Sequence, residues 1–155
     1  MFTEKNALLS LLGPTADGFA GTVDSDAFSM ENFDEATIVV SHKGGTTGKS
    51  TLTVLASSDA SGTGAAAVAF AYRRKTTGAS SVWGAVSQAT VSGIDTVPGE
   101  DTLIEIYVRS SELPDGKPFV NLHAVEAVND PVTASVFAIL SSARYAGTTL
   151  PDSLS

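Results

Sequence analysis

Cysteine is absent from the 155 residues, so neither a disulfide framework nor a thiolate metal site is open to this chain. Histidine is nearly absent too. The two that occur, His42 and His123, stand outside any metal-ligand spacing such as H-x-x-x-H, and imidazole chemistry needs an oriented partner. Basic residues are scarce, 9 Lys and Arg against 17 Asp and Glu, for a formal net charge of -8. The field around such a chain repels phosphate backbones, and direct nucleic-acid binding is not expected. Long apolar runs are missing as well. Leu8, Leu9, Leu11 and Leu12 are interrupted by Ser10 and followed by Gly13-Pro14. That run is too short for a membrane span and lacks the cleavage pattern of a secretory signal, so a soluble, cytosolically made protein without a membrane partner is expected.

What the chain does have is small side chains. Ala, Gly, Ser and Thr supply nearly half of it, while charged residues are 17% and aromatics 7%. A single domain of this length buries about 70% of the surface its unfolded chain exposes, so any unusual stability has to come from packing or assembly. A surface low in charge and short in side chains favours close backbone contact.

Residues 35–57 hold the most pronounced pattern. Two runs rich in β-branched residues, 36–40 and 51–55, flank a glycine-rich polar loop at 43–49, which suits a hairpin or a longer strand-to-strand connection. Gly48-Lys49-Ser50 invites comparison with a phosphate-binding loop, G-x-x-x-x-G-K-[ST]. The spacing from Gly44 is one residue short, and Thr51 to Leu55 alternates like a strand where a phosphate cradle needs a helix N-terminus. No nucleotide site is expected there.

Elsewhere, β character dominates. Residues 65–74 carry Val68, Phe70 and Tyr72 at two-residue spacing against an alanine-rich opposite face, which argues for a strand although alanine permits a helix, and 83–91 form a further strand candidate. Residues 102–109 set Ile104, Ile106 and Val108 against Leu103, Glu105, Tyr107 and Arg109. Strand character resumes over 119–128. The apolar run 132–140 suits a buried strand, although a helix over 133–144 fits its pattern too. Turns are expected at Asp24-Ser25-Asp26 and at Leu113-Pro114-Asp115-Gly116, with Pro114 in the first central position. Residues 5–12 could make one or two helical turns, too few to be stable alone. The expectation is an all-β chain: an antiparallel β-sandwich, jelly-roll or immunoglobulin-like, with irregular arms at both ends. Its parts are an N-terminal arm at 1–18, a sandwich at 19–145 and a C-terminal tail at 146–155, and the arm's leucines are expected to pack on a neighbouring subunit or on a partner's surface rather than on their own core.

No residue is assigned a catalytic, cofactor-binding or metal-binding role. A triad of Ser41, His42 and an aspartate conflicts with strand geometry, in which adjacent residues face opposite ways. Asp24, Asp26, Glu31, Asp34 and Glu35 concentrate carboxylates that could hold calcium, but they lack the D-x-[DN]-x-[DN]-G loop. The basic triplet Arg73-Arg74-Lys75 reads as a charged strand end, or as half of an electrostatic contact between subunits whose other half is the acidic 24–35 segment.

Several phrases together resemble small structural proteins of tailed bacteriophages. They are Ser29-Met30-Glu31-Asn32-Phe33 followed by the strand at 37–40, Asp59-Ala60-Ser61-Gly62, Ala69-Phe70-Ala71-Tyr72-Arg73, Leu113-Pro114-Asp115-Gly116-Lys117 and Asn129-Asp130-Pro131-Val132-Thr133-Ala134-Ser135. The resemblance spans residues 20–145 and is to capsid decoration, or cement, proteins with a sandwich or jelly-roll core. It implies a non-enzymatic virion protein on the capsid exterior, bound to the major capsid protein as a homo-oligomer, a trimer in preference to a dimer. The alternative is a carbohydrate-binding or adhesion module using Trp83, Tyr72 and Tyr107 to stack on sugar rings. An enzyme, such as a hydrolase built on His42 or His123, is the third reading.

Overall fold

The computed structural model describes residues 6–43, 46–76 and 82–144. Among these, the strands in chain order are β1 (Ala7–Thr15), β2 (Thr22–Asp24), β3 (Phe28–Ser29), β4 (Phe33–Lys43), β5 (Lys49–Ser57), β6 (Ala66–Val68), β7 (Phe70–Thr76), β8 (Ser87–Ala89), β9 (Ile94–Asp95), β10 (Asp101–Arg109), β11 (Phe119–Val128) and β12 (Thr133–Ala143). They form two antiparallel sheets. The first runs β1-β12-β4-β10-β7-β8, and the second runs β2-β11-β5-β6, with β3 also on β11 and β9 also on β5.

The pairing is nested. β1 lies on β12, β2 on β11, β4 on β10 and β5 on β6, and the chain crosses between the sheets from β4 to β5, from β6 to β7, from β10 to β11 and from β11 to β12. A single long hairpin rolled into two layers gives this order, which makes the sandwich a jelly roll rather than immunoglobulin-like.

Period-2 alternation builds the core. Ile38 and Val40 from β4, Ile104 and Ile106 from β10, and Val136 and Leu140 from β12 meet Leu52 and Val54 from β5 and Val120 and Leu122 from β11. Phe19, Phe28, Met30 and Phe33 join the same core.

Several expectations are corrected. The segment taken for a helical turn in an arm is the edge strand β1. Ala7, Leu9 and Leu11 point into the core, so Leu9 and Leu11 serve their own domain, while Leu8 and Ser10 point out. Gly13-Pro14 does not end it, because an edge strand tolerates proline's missing N–H, and register shifts absorb the irregularity. The connection after Lys43 is no hairpin, since β4 and β5 belong to different sheets; residues 44–45 of it lie outside the described set. The strand over 65–74 is two, switching sheets at Ala69: β6 on β5 and β7 on β10.

The candidate at 83–91 shortens to β8. Asp24 to Asp26 is not a turn: Ser25 is buried, its N–H donates to the Leu122 carbonyl at 2.9 Å, and its Oγ accepts from the Leu122 N–H at 3.0 Å. The turn at 113–116 closes one residue later, with Lys117 N–H on the Pro114 carbonyl and Gly116 at φ 73°, which puts proline at its first position rather than a central one. Residues 133–143 are strand, not helix, because β12 lies between β1 and β4 and pairs with both. The tail at 146–155 lies outside the described residues.

Candidate interaction surface

The residues that alternate outward decide what each sheet shows. On the first sheet, one row across the strands reads Leu8, Ile139, Thr37, Tyr107 and Ala71. The next reads Ser10, Phe137, Val39, Glu105 and Arg73. Leu8 is 56% exposed, and the other large apolar members are half-buried against one another. The middle of this face is therefore apolar, with small hydroxyls between the large side chains. Beside it, Thr37, Ala71, Val86, Gln88, Tyr107 and Glu112 line a groove of about 430 Å³.

At the β7 side sits a mixed cluster. Arg73 Nε donates to Glu105 Oε2 at 2.6 Å, and the Tyr107 hydroxyl donates to the same oxygen at 2.5 Å. The Arg73 guanidinium lies 4.8 Å from the Trp83 ring centroid and 5.8 Å from that of Tyr107. The hydrogen bond to Glu105 holds Arg73 above its ordinary range. Burial, and then the Glu105 bond, pushes the Tyr107 hydroxyl up as well. Of the three aromatics considered for sugar stacking, Trp83 and Tyr107 share this cation, whereas Tyr72 is on the opposite side of β7, edge-on to buried Phe70 and under Arg74. They do not form one platform.

The second sheet's exterior is mixed: Val125 and Val128 on β11 are exposed and Leu55 and Phe119 half-buried, with polar side chains between them. Thr51 Oγ1 and Lys49 Nζ both reach the Asp95 carboxylate at 2.7 Å, and that carboxyl is held below its usual range, first by Lys49 and then by Thr51. Lys49, the lysine of the phosphate-loop comparison, is thus an ion-paired residue at the start of a strand. A Cβ on Gly48 would meet the Asp130 carbonyl oxygen at 2.4 Å, so glycine is required there for packing. Asp130 accepts from the Thr47 N–H at 2.9 Å, and this backbone bond leads the causes that lower its pKa.

His123 Nδ1 lies 2.7 Å from Asp24 Oδ1, which also accepts from Asn121 Nδ2 at 3.2 Å. This carboxylate–imidazole pair spans 99 positions of sequence and was not legible in it. The nearby Ser25 hydroxyl is committed to the backbone, donating to Asp26 and accepting from Leu122, so it completes no triad with His123.

His42 is buried at 2% exposure, stacked on Phe19 with centroids 6.3 Å apart. Neither of its ring nitrogens meets a partner in full hydrogen-bond geometry. Burial holds its pKa below the ordinary value, against weaker opposite pulls from the Asp101 carboxylate and the Glu100 backbone carbonyl. It faces inward, away from Ser41. The acidic residues considered for calcium are dispersed: Asp24 is on His123, Asp34 bonds Arg144 at 2.7 Å, and Glu35 accepts from Ser142. Among the described residues, no three or more His, Asp or Glu come together as a metal-ion group. The basic triplet divides as well, Arg73 to the outer face and Arg74 to the Asp95 carbonyl. No described helix is long and apolar enough to cross a membrane.

No family model matches the chain, and no curated protein matches it. Among solved structures, it is similar to the crystal structure of the SPBc2 prophage-derived protein YomS, at 14% identity and a TM-score of 0.46, covering 88% of this chain and 93% of that one. A likeness of that extent carries no weight for function.

Proposed function

We propose that this protein is a structural component of a phage particle, a capsid decoration protein that binds the outside of the head and self-associates as a homo-oligomer. The observation that carries the self-association is the broad apolar exterior of the first sheet, a surface suited to contact over a wide area rather than to enclosing a small substrate. The resemblance of the sequence phrases at 29–33, 59–62, 69–73, 113–117 and 129–135 to phage structural proteins supports it. So, by analogy of fold only, does the jelly roll, an architecture used in viral capsid domains. The partner on the head is the major capsid protein, which the chain clamps by many weak contacts.

The reading is tested by mixing the purified protein with expanded heads assembled without it. Co-sedimentation at saturable stoichiometry, with added density on the outer surface in electron micrographs, is the expected result. Heads that remain bare at saturating protein, with the protein folded by circular dichroism, overturn it.

A further inference from the structure

We infer that the outer face of the first sheet is covered by a second copy of this chain, packed face to face about a two-fold axis. The inference deepens the self-association proposed above by naming its surface and stoichiometry, a dimer in place of the trimer that the resemblance implies.

Extent comes first. The five strands β1, β12, β4, β10 and β7, at about 4.8 Å apart and about nine residues long, present a face of about 700 Å². A stable protein interface covers about 800 Å² on each partner, so this one face is of the size a dimer needs. Its centre is furnished for desolvation, with Leu8, Ile139, Phe137, Val39, Leu103 and Tyr107 projecting between Thr37, Ser41 and Ser135. Sheets stacked face to face interdigitate such side chains at about 10 Å separation.

Charge then selects the partner. The chain carries -8, and two copies repel wherever their acidic surfaces meet. This face is close to neutral because its charges stand side by side in opposite pairs: Lys43 opposite Asp101 at one end of β4 and β10, Glu35 opposite Arg109 at the other, and Arg73 on Glu105. Lys75 on β7 and Glu112 at the groove beside Tyr107 are further charges on it, of opposite sign.

The arrangement is also self-complementary. A face-to-face dimer has its two-fold axis in the plane between the sheets. If the axis runs along the strands between β4 and β10, Lys43 faces Asp101 of the second copy and Arg109 faces Glu35. If it runs across them, Lys43 faces Glu35 and Arg109 faces Asp101. Either way these four charges meet opposite partners, but an axis across the strands sets Glu105 and Arg73 against their own copies, so the axis along the strands is the one the charges favour; residue i then contacts j while j contacts i, as an isologous interface requires. On the second sheet the charges are committed within the protomer, in Lys49–Asp95 and Asp24–His123, and its exposed apolar side chains, Val125 and Val128, stand at one end of β11.

Sedimentation velocity on the full chain over a concentration series tests the proposal with three variants. Wild type is expected to be a dimer. Leu8→Glu combined with Thr37→Arg, both outward on the first sheet, should weaken association about tenfold or more. Leu8→Glu alone, at an exposed position, gives the same direction in a protein whose fold is not in question. Thr53→Arg, outward on the second sheet, should leave the dimer intact. A monomeric or trimeric wild type overturns the inference, as does a folded Leu8→Glu variant that dimerises like wild type, or dissociation by Thr53→Arg. Failure to bind heads with the dimer preserved refutes the capsid reading and leaves this one standing.

Discussion

The two exteriors of the sandwich are made by the same alternation and differ in what alternates outward. On the second sheet, the outward side chains of β5 and β11 include Thr51, Thr53, His123 and Asn121, and they bond one another's neighbours and Asp24 and Asp95. On the first sheet, β1, β12 and β4 place leucine, isoleucine, phenylalanine and valine at the equivalent positions. The polar side chains of the second exterior close their hydrogen bonds within the protomer, with exposed Val125 and Val128 beside them. An apolar one leaves an area whose removal from water is favourable by about 25 cal/mol per Å². Inner faces made by the same alternation can therefore sit behind outer faces of different chemistry.

The largest expected effect separates the two sides of one strand. Leu9 is buried at 6% and Leu8, its neighbour on β1, is 56% exposed. Leu9→Ala should cost about 2–5 kcal/mol of unfolding free energy, the cost of a core cavity. Leu8→Ala should change the unfolding free energy at low protein concentration by less than about 0.5 kcal/mol, as surface substitutions do. Urea denaturation of both variants reads the difference. Equal losses would mean that β1 is not the edge of a two-faced sheet.

How much of this was legible in the sequence follows from which contacts are local. Alternation is local, so β10, β11 and β12 stood out: Ile104, Ile106 and Val108 declare an inner face without knowing what lies opposite. Sheet membership is not local. Ala69 looks like any strand residue, yet the chain changes layers there, because β6 finds β5 and β7 finds β10 only in the folded state. The same limit concealed β1, whose leucines read as a loose arm until β12 supplied a hydrogen-bonding partner 124 to 133 positions away, as in Leu12 with Val136 and Ala7 with Leu140 (a separation that local pattern cannot carry). The Asp24–His123 pair was hidden for the same reason. The apolar exterior was half legible: its residues were visible in β4, β10 and β12, but which strands lie side by side was not.

The next effect concerns the inner face near the end of β4. His42 folds neutral because burial disfavours its charge, so its folded pKa lies below the ordinary value of 6.5. The unfolded state then binds the proton more readily. Stability is fully present above pH 6.5 and falls as the pH drops from there toward the folded pKa, below which this contribution no longer changes. His42→Phe should remove that slope. Thermal melts from pH 7.5 to 5, read against wild type, show it as a flatter dependence; a variant that keeps the full wild-type slope assigns the loss to other groups.

The polar exterior gives a smaller effect. Asp95 is held down chiefly by Lys49, so its folded carboxyl has a lower pKa than its unfolded one, and the stability it contributes is present above the unfolded pKa of 3.8 and lost as the pH falls through the folded value. The pair is well exposed, at 37% and 47%, so screening leaves little of it. Lys49→Met should lower stability at neutral pH by less than about 1 kcal/mol and leave the sedimentation behaviour unchanged. Dissociation of the dimer by Lys49→Met would move the contact to the second sheet and reverse the comparison.

The smallest effect is spectroscopic, and it reads the first sheet's exterior directly. The Tyr107 hydroxyl is raised above 10.0 by burial first, and next by its bond to Glu105, while Arg73 pulls the other way. Glu105→Gln removes the negative charge beside the phenol, so the phenolate forms at lower pH; Arg73→Gln removes the opposing cation, so it forms at higher pH. Alkaline difference titrations against Tyr107→Phe isolate this residue from Tyr72 and Tyr145. Because burial leads the causes, a second copy laid over the face should raise the value further. The Tyr107 titration in wild type should therefore move upward as protein concentration rises through the dimer range, and the shift should vanish in Leu8→Glu. A titration independent of concentration, in a sample that sediments as a dimer, would show that the copies meet elsewhere and that the apolar exterior faces a different partner.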